Sequence, residues 1–372
     1  MILFFFICIA VVIAYAYMLM AITDGWDECK ETVPSRNEFS EGVSIIVPAR
    51  NESQHIKSCV ESIINSDTEG IQYEIIVVDD HSDDDTGNIV REAFKEVKVL
   101  TLDAAQGKKA ATEHGIQSAI HDHCILIDAD VTVSSSWLRA HCTIWRDERP
   151  KFVAGPVLCP YKEDLLSAFQ IMDFLSMAQI IANGIKRRTY HIANGANMAI
   201  SKKTFIEIGG MKDHQHVASG DDMFLVRKVA EHYPGRIAYL KHPQALVMTN
   251  PEQSWSDLFR QRKRWATKTN DLPRDRSYNI QVYTFFIHVL ILFNFAITPW
   301  TGGQSFFCGL FMLFIKGCID FLFLSKIGSY FEIRRPFKYF ILAFLFYFFY
   351  IFFMAFHAVK GGEYQWKGRE VK

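Results

Sequence analysis

The chain has 372 residues, 49% of them hydrophobic and 22% charged, which is too apolar for a disordered protein and long enough for two or three structural units. Lys plus Arg (40) against Asp plus Glu (41) leave a formal charge of −1, so there is no global basic field and no nucleic-acid partner is expected. Of the 31 Phe, 20 fall within residues 277–358, so the last quarter of the chain faces a different solvent from the rest.

In chain order, residues 1–23 carry no charge, and the run 2–22 at ~1.5 Å per residue is long enough to cross a hydrocarbon layer of ~30 Å. The run lacks a basic leading region and exceeds the ~7–15 apolar residues of a cleaved signal peptide, so it reads as a transmembrane helix. Residues 24–276 have an ordinary soluble composition. They open with a buried strand, Val43-Ser-Ile-Ile-Val47, a loop from Pro48 and a helix to about Asn65. A second strand, 73–78, ends in Asp79-Asp80-His81-Ser82-Asp83-Asp84-Asp85-Thr86, and a third, about 97–102, precedes the helix-compatible stretch 107–120. The fourth, 123–127, ends in Asp128-Ala129-Asp130. Alternating strands and helices predict an α/β fold with a parallel sheet, and two acidic clusters leave strand C-terminal ends, where such sheets build their sites.

Asp79 and Asp83 to Asp85 fit a capped turn. Asp128 and Asp130, one residue apart in a loop, can approach one hard cation, and Mg²⁺ or Mn²⁺ with a nucleotide diphosphate fits such a pair. The 8 Cys form no CxxC pair and no short His/Cys spacing, which excludes a zinc knuckle and a dense disulfide framework and suits a reduced, cytosol-facing domain.

Residues 277–315 carry no charge and are interrupted only by the turn chemistry of Thr298-Pro299-Trp300-Thr301-Gly302-Gly303. Three membrane segments are expected, at about 280–297, 306–325 and 337–358, followed by a basic tail, 359–372. Lys316 and Asp320 fall four apart inside the second, where they share a helix face and neutralise one another. Lys30, Arg36, Arg274 and Arg276 flank the soluble region and put it on the cytoplasmic side of an inner or plasma membrane. Three full crossings after it would leave the basic tail outside, so one C-terminal segment is expected to be re-entrant or interfacial.

Seven motifs then occur in one order: Ser44-Ile-Ile-Val-Pro-Ala-Arg-Asn-Glu52, Glu74-Ile-Ile-Val-Val-Asp-Asp80, Gly107-Lys108, Asp128-Ala-Asp130, Gly195-Ala-Asn197, Gly220-Asp-Asp222 and Gln261-Arg-Lys-Arg-Trp265. Over about 43–265 the chain resembles family-2 glycosyltransferases, and its flanking helices make it similar to the integral-membrane branch with ceramide glucosyltransferases and hyaluronan and cellulose synthases. The resemblance implies a GT-A, Rossmann-like domain, a nucleotide-diphosphate sugar donor such as a UDP-sugar, a divalent ion and inverting transfer. It implies that Pro48, Ala49, Arg50, Glu52 and Asp80 surround the uridine with Lys108 nearby, and that Asp128 lies beside the donor sugar. Asp130, with Asp128, would hold the metal, and Asp222, with Asp221 as its alternative, would be the base.

Asn194 and Asn197 would line the acceptor side or serve as turn-forming residues. Gln261, Arg264 and Trp265 share a helix face by spacing, with the fork of Arg264 suited to a diphosphate and Trp265 to an acceptor sugar or lipid. Residues 260–276, with seven basic and two acidic side chains, also suit anionic headgroups. Gly107-Lys108 continues Lys-Ala-Ala-Thr rather than the family's common Ala-Leu-Asn, while the ending Trp366-Lys-Gly-Arg369 resembles that of membrane enzymes acting on lipids. The expected acceptor is a lipid or lipid-linked molecule of the cell envelope. The alternatives are a processive polysaccharide synthase and a nucleotide-sugar-binding membrane scaffold without catalysis.

Overall fold

Apolar runs such as Ile45, Ile46 and Val47, each fully buried, form strands covered on both faces. The computed structural model describes residues 2–103, 106–211, 221–267, 275–360, 364–366 and 369–371. Backbone proximity divides the chain into two compact units. One, the sheet unit, comprises Cys29–Pro160, His191–Pro251 and Glu363–Lys372; the other, the helical unit, comprises Met1–Glu28, Tyr161–Tyr190 and Glu252–Gly362.

In the sheet unit, β1 (Val43–Ala49), β2 (Tyr73–Asp79), β3 (Lys98–Thr101) and β4 (His123–Leu126) are parallel, as the alternation predicts. They join β6 (Phe152–Ala154), β8 (Met198–Ser201) and β9 (Ile237–Tyr239) in the order β3-β2-β1-β4-β8-β6-β9. The chain passes from β1 to β2 on one side and returns to β4 on the other, so β1 and β4 flank a switch point of the kind at which open α/β sheets bind ligands. A smaller sheet, β5-β10-β7, contains β5 (Val131–Val133), β7 (Val157–Leu158) and β10 (Val247–Thr249), while β11 (Tyr364–Trp366) and β12 (Arg369–Val371) pair with each other. The connecting helices are α2 (Ile56–Ile64), α3 (Thr86–Ala93), α4 (Lys108–Ser118), α5 (Trp137–Glu148), α7 (Lys202–Glu207) and α8 (Asp221–His232).

In the helical unit, α1 (Ile2–Glu28) and α11 (Gln304–Tyr330) run parallel, with α10 (Arg276–Ala296) antiparallel to both. Phe4 meets Phe293 at 6.2 Å, the Tyr283 hydroxyl donates to the Val11 carbonyl at 2.9 Å, and Trp26 meets Tyr330 at 5.2 Å. Cys8, Val12, Leu19, Ile291 and Met312 fill the seam. The expected Lys316–Asp320 pair is present and has a third member: Asp320 also accepts the hydroxyl of Tyr15 at 2.7 Å, tying α11 to α1.

Among the described residues, five helices are long and apolar enough to cross a membrane: α1, α10, α11, α6 (Leu165–Arg187) and Arg335–His357, the last made of a 3-10 turn and most of α12 (Phe340–Lys360). Two of them are set apart by their place in the chain and their contacts. α6 follows β6 and β7 and precedes β8, and β8 pairs with β6, so a crossing at α6 would put two hydrogen-bonded strands on opposite sides of a membrane. α12 packs on α10 and α11. Its Phe340 meets Phe321, its Tyr347 lies by Lys316 and His288, and its Phe352 meets Phe285. Asn294 touches Met312 and a side chain at Gly309 would strike Asn294, so Phe285 and His288 stand level with about residues 316–320 of α11.

The helix α9 (Trp255–Thr267) packs on α12, Phe259 against Phe353 at 4.5 Å. The expected soluble domain 24–276 is thus interrupted, because residues 161–190 and 252–267 pack with the helical unit. The physical reason is the apolar face of α6, where Ala168, Phe169 and Met172 bury against Ala343 and Tyr350.

Candidate active site

The strand register carries Asp80 and Asp128 out at one edge, since Ala49 pairs with Asp79 and Ile46 with Leu126. Two residues in left-handed backbone, Asn51 (φ 52°) and His81 (φ 53°), turn the chain just past β1 and β2, an uncommon conformation to which Asn and His are better suited than most residues. Each loop holds the other. Asn51 Oδ1 accepts the Asp83 N–H at 2.8 Å and the Asn51 N–H donates to Ser82 Oγ at 3.0 Å.

Arg50 is buried and braces the same turn: its Nη1 donates to the carbonyls of Asp80 and His81 at 2.7 and 2.6 Å, and its Nη2 pairs with Asp83 at 3.2 Å. Glu52 is also buried and pairs with His55 at 3.0 Å. The acidic turn is structural in part. Burial raises the Asp84 carboxyl, but donors on Thr86 and Ser53 outweigh it and hold the group at about 2. Asp79 accepts the Ser82 N–H at 3.1 Å. The expected cap of α3 comes from Asp84, which accepts the Thr86 N–H at 3.0 Å, while Asp85 at the cap position makes no such bond.

Asp80 is 2% exposed and accepts the N–H of Gly107 at 3.0 Å, which brings the start of α4 to the end of β2. Gly107 sits at φ 97°, a conformation that strains residues with a side chain. The next residue, Lys108, pairs with Asp128, and it stands near Asp222 as well: a β-carbon built on Gly195 would lie 3.2 Å from Lys108 Nζ and 3.5 Å from Asp222 Oδ2. Asp222 Oδ2 accepts the Gly195 N–H at 3.1 Å and Oδ1 accepts the Met223 N–H at 2.8 Å. Four separate segments thus meet around Gly195. The side chain of Asp221 and residue Gly220 lie outside the described residues.

Asp128 and Asp130 are half-buried, with Ala129 buried between them. The Asp130 carbonyl accepts Asn250 Nδ2 at 3.0 Å, so the end of β10 fixes the loop. Cys59 lies beneath it, its Sγ 3.6 Å from the Asp128 carbonyl, and burial first, then Asp130 and Asp128, push its thiol well up, so it stays neutral. Among the described residues no three His, Cys, Asp or Glu gather as a metal cluster. Two hard carboxylate oxygens fit a small divalent ion that takes its remaining ligands from water and phosphate.

Asn197 is corrected by the structure. Expected on the acceptor side, it is fully buried: Oδ1 lies 3.1 Å from both Trp137 Nε1 and His141 Nε2, and Nδ2 donates to the carbonyls of Pro156 and Ala245 at 2.9 and 3.1 Å. Its amide has no bond left for a ligand. Asn194 makes a turn, its Oδ1 accepting the Ala196 N–H at 3.0 Å.

Gln261, Arg264 and Trp265 lie on α9, in the helical unit. There the buried member of the motif is Arg262, 1% exposed, paired with Asp173 at 2.6 Å and stacked 3.9 Å over Trp265. Gln261 accepts Arg262 Nη1 at 3.0 Å and donates to Glu252 at 2.7 Å; burial, then Asp257, raises the Glu252 carboxyl. Asp173, Asn250 and Glu252 carry no local signal in the sequence, since each is recognised only by what it touches.

Residues 44–209 match the family model described as glycosyl transferase family 2. Poly-beta-1,6-N-acetyl-D-glucosamine synthase of Staphylococcus epidermidis is 24% identical over 312 residues, 80% of this chain and 72% of that protein. Glycosyltransferase AglE of Haloferax volcanii is 24% identical over 192 residues, 51% of this chain and 61% of that protein. The fold is similar to that of the mannosyltransferase PcManGT from Pyrobaculum calidifontis, solved with GDP-Man and Mn²⁺, at a TM-score of 0.58 and 17% identity, covering 96% of this chain and 98% of that one.

Proposed function

Because the chain is a family-2 glycosyltransferase with a GT-A-like fold, we propose that it moves a sugar from a nucleoside-diphosphate donor to a lipid or lipid-linked acceptor at the cytoplasmic face of a membrane. The observation that carries this reading is the meeting of Asp80, Lys108, Asp128 and Asp222 around the Gly107 and Gly195 backbone at one edge of the sheet. Asp80 and the turn braced by Arg50 bind the donor's nucleoside, a UDP group by resemblance. Lys108 and Asp128 orient the sugar. Asp130, with Asp128, would hold Mg²⁺ or Mn²⁺, which supplies charge neutralisation for the departing diphosphate. Asp222 takes the proton from the acceptor hydroxyl; each of its oxygens is steered by one backbone N–H and keeps a second lone pair for that proton. One base suffices for inversion.

Separate roles give separate losses. Asp222→Asn keeps an oxygen for the Gly195 N–H and is expected to cut turnover by about 10²-fold with donor affinity retained, while Asp130→Asn loses both turnover and metal-stimulated donor binding. Calorimetry with the donor and turnover on the same preparation check this, and near-normal turnover for both variants refutes it. A second reading, processive synthesis, is favoured by the likeness to a poly-N-acetylglucosamine synthase. Incubating membranes with a panel of UDP- and GDP-sugars and sizing the products separates one-sugar lipid products from polymer.

A further inference from the structure

On the helical unit, α1, the end of α6 and the first turns of α10 enclose a groove of about 610 Å³ whose walls divide by chemistry. Ala14, Met18 and Ile22 of α1, four residues apart, form an apolar stripe ~12 Å long, continued by Ile280. Arg187 and Arg276 stand with it. Asn183 and Tyr190 close it but are already engaged, Asn183 Nδ2 donating to the Tyr190 hydroxyl at 2.8 Å and that hydroxyl to the Ile180 carbonyl at 3.0 Å. The arginines are different. Arg276 has no side-chain hydrogen bond or ion pair among the described residues, and Arg187 has Glu28 at 2.6 Å, both half exposed. The nearby Asp275 carboxylate is occupied in capping α10 through the Ser277 N–H at 2.8 Å. The carboxylates of Glu28 and Asp275, the latter felt as far as Tyr190, balance the two guanidiniums in charge, but the N–H donors of Arg276 have no acceptor among the described residues and stand beside an apolar channel.

The geometry points to a binding site for a membrane lipid with an anionic phosphate headgroup, its phosphate between Arg187 and Arg276 and one chain along Ala14, Met18 and Ile22. The site rests on the membrane reading of α1 and α10 and not on the transfer chemistry. A chain that leaves the bilayer for an equally apolar wall gains little, so selectivity comes from the planar, multi-donor guanidiniums, and a zwitterionic headgroup, which brings its own cation, competes poorly.

The test uses the full-length protein in phosphatidylcholine nanodiscs doped with phosphatidic acid, counting the lipid retained per protein by native mass spectrometry. Wild type is expected to retain phosphatidic acid selectively. Arg276→Gln, an exposed change that removes no internal contact, lowers retention about tenfold, the scale of one charge-assisted bond. Ala14→Trp lowers it too by filling the channel without altering charge, while Arg334→Gln, on the exposed basic turn between α11 and α12, leaves it unchanged.

Equal loss with Arg334→Gln would reduce the effect to general surface charge and overturn the site. Full retention with Ala14→Trp overturns the channel, and displacement by inorganic phosphate alone makes the ligand a soluble anion and overturns the lipid. Extraction of the chain from membranes by alkaline carbonate, measured separately, overturns the membrane reading beneath it. Loss of donor turnover in any variant bears on the catalytic reading alone.

Discussion

Asn197 sits in a motif that the resemblance assigns to the acceptor, yet its side chain joins β8 to α5 and to the segments ending at Pro156 and Ala245. Truncation leaves the Trp137 N–H and two carbonyls without a partner. Asn197→Ala is therefore expected to cost about 3 kcal/mol and to lower Tm by at least 5 °C or so, read from a thermal melt of the detergent-solubilised chain. Burial pushes the imidazole of His141 beside it down from 6.5 to about 4, against the smaller upward pull of its hydrogen bond to Asn197. A depressed histidine means that the unfolded chain takes the proton first. Its contribution is complete above pH 6.5 and is lost as pH falls toward 4. His141→Gln should flatten the decline of Tm across that window, and an unchanged slope would remove His141 from the acid response.

At the scale of elements, α9 is held by a buried pair rather than by the residues that its spacing singles out. Arg262 is closed in by Asp173 of α6, by Phe174 and by the ring of Trp265, and this packing orients the Trp. Asp173→Ala strands a buried guanidinium and is expected to destabilise by about 3 kcal/mol, whereas Asp173→Ala with Arg262→Met loses less than the sum of the single changes. A double-mutant cycle of melting temperatures measures the coupling. The i, i+3, i+4 relation of Gln261, Arg264 and Trp265 was legible because it is local. The partner of Arg262 was not, since Asp173 lies 89 positions away on a helix that composition alone would pass as a membrane span.

For the whole molecule, we expect α1 to cross once before residues 29–160 and α10 and α11 twice after them, with α6 and α12 not crossing, which would return the tail to the side of residues 29–160. That arrangement would remove the conflict between three C-terminal crossings and a basic tail. Epitope tags after Lys372 and in the exposed turn at Glu69 should both be protected from protease in intact cells and both be cut in opened ones. A tail cut in intact cells while the Glu69 tag survives would make α12 a crossing.

The sequence by itself determined the alternating sheet, the long apolar helices and the order of the acidic motifs. These depend on hydrophobic period, run length and the placing of carboxylates after strands, all properties of neighbouring residues. It also contained the charge argument for expecting that one C-terminal segment is not a full crossing, without saying which. Only the tertiary structure decided that the strands before and after α6 join one sheet, that Asn197 is core and that Lys108 faces Asp128. Each of those depends on which distant segment fills the other half of a contact, and a side chain's spacing along its own helix or strand says where it points but not what it meets.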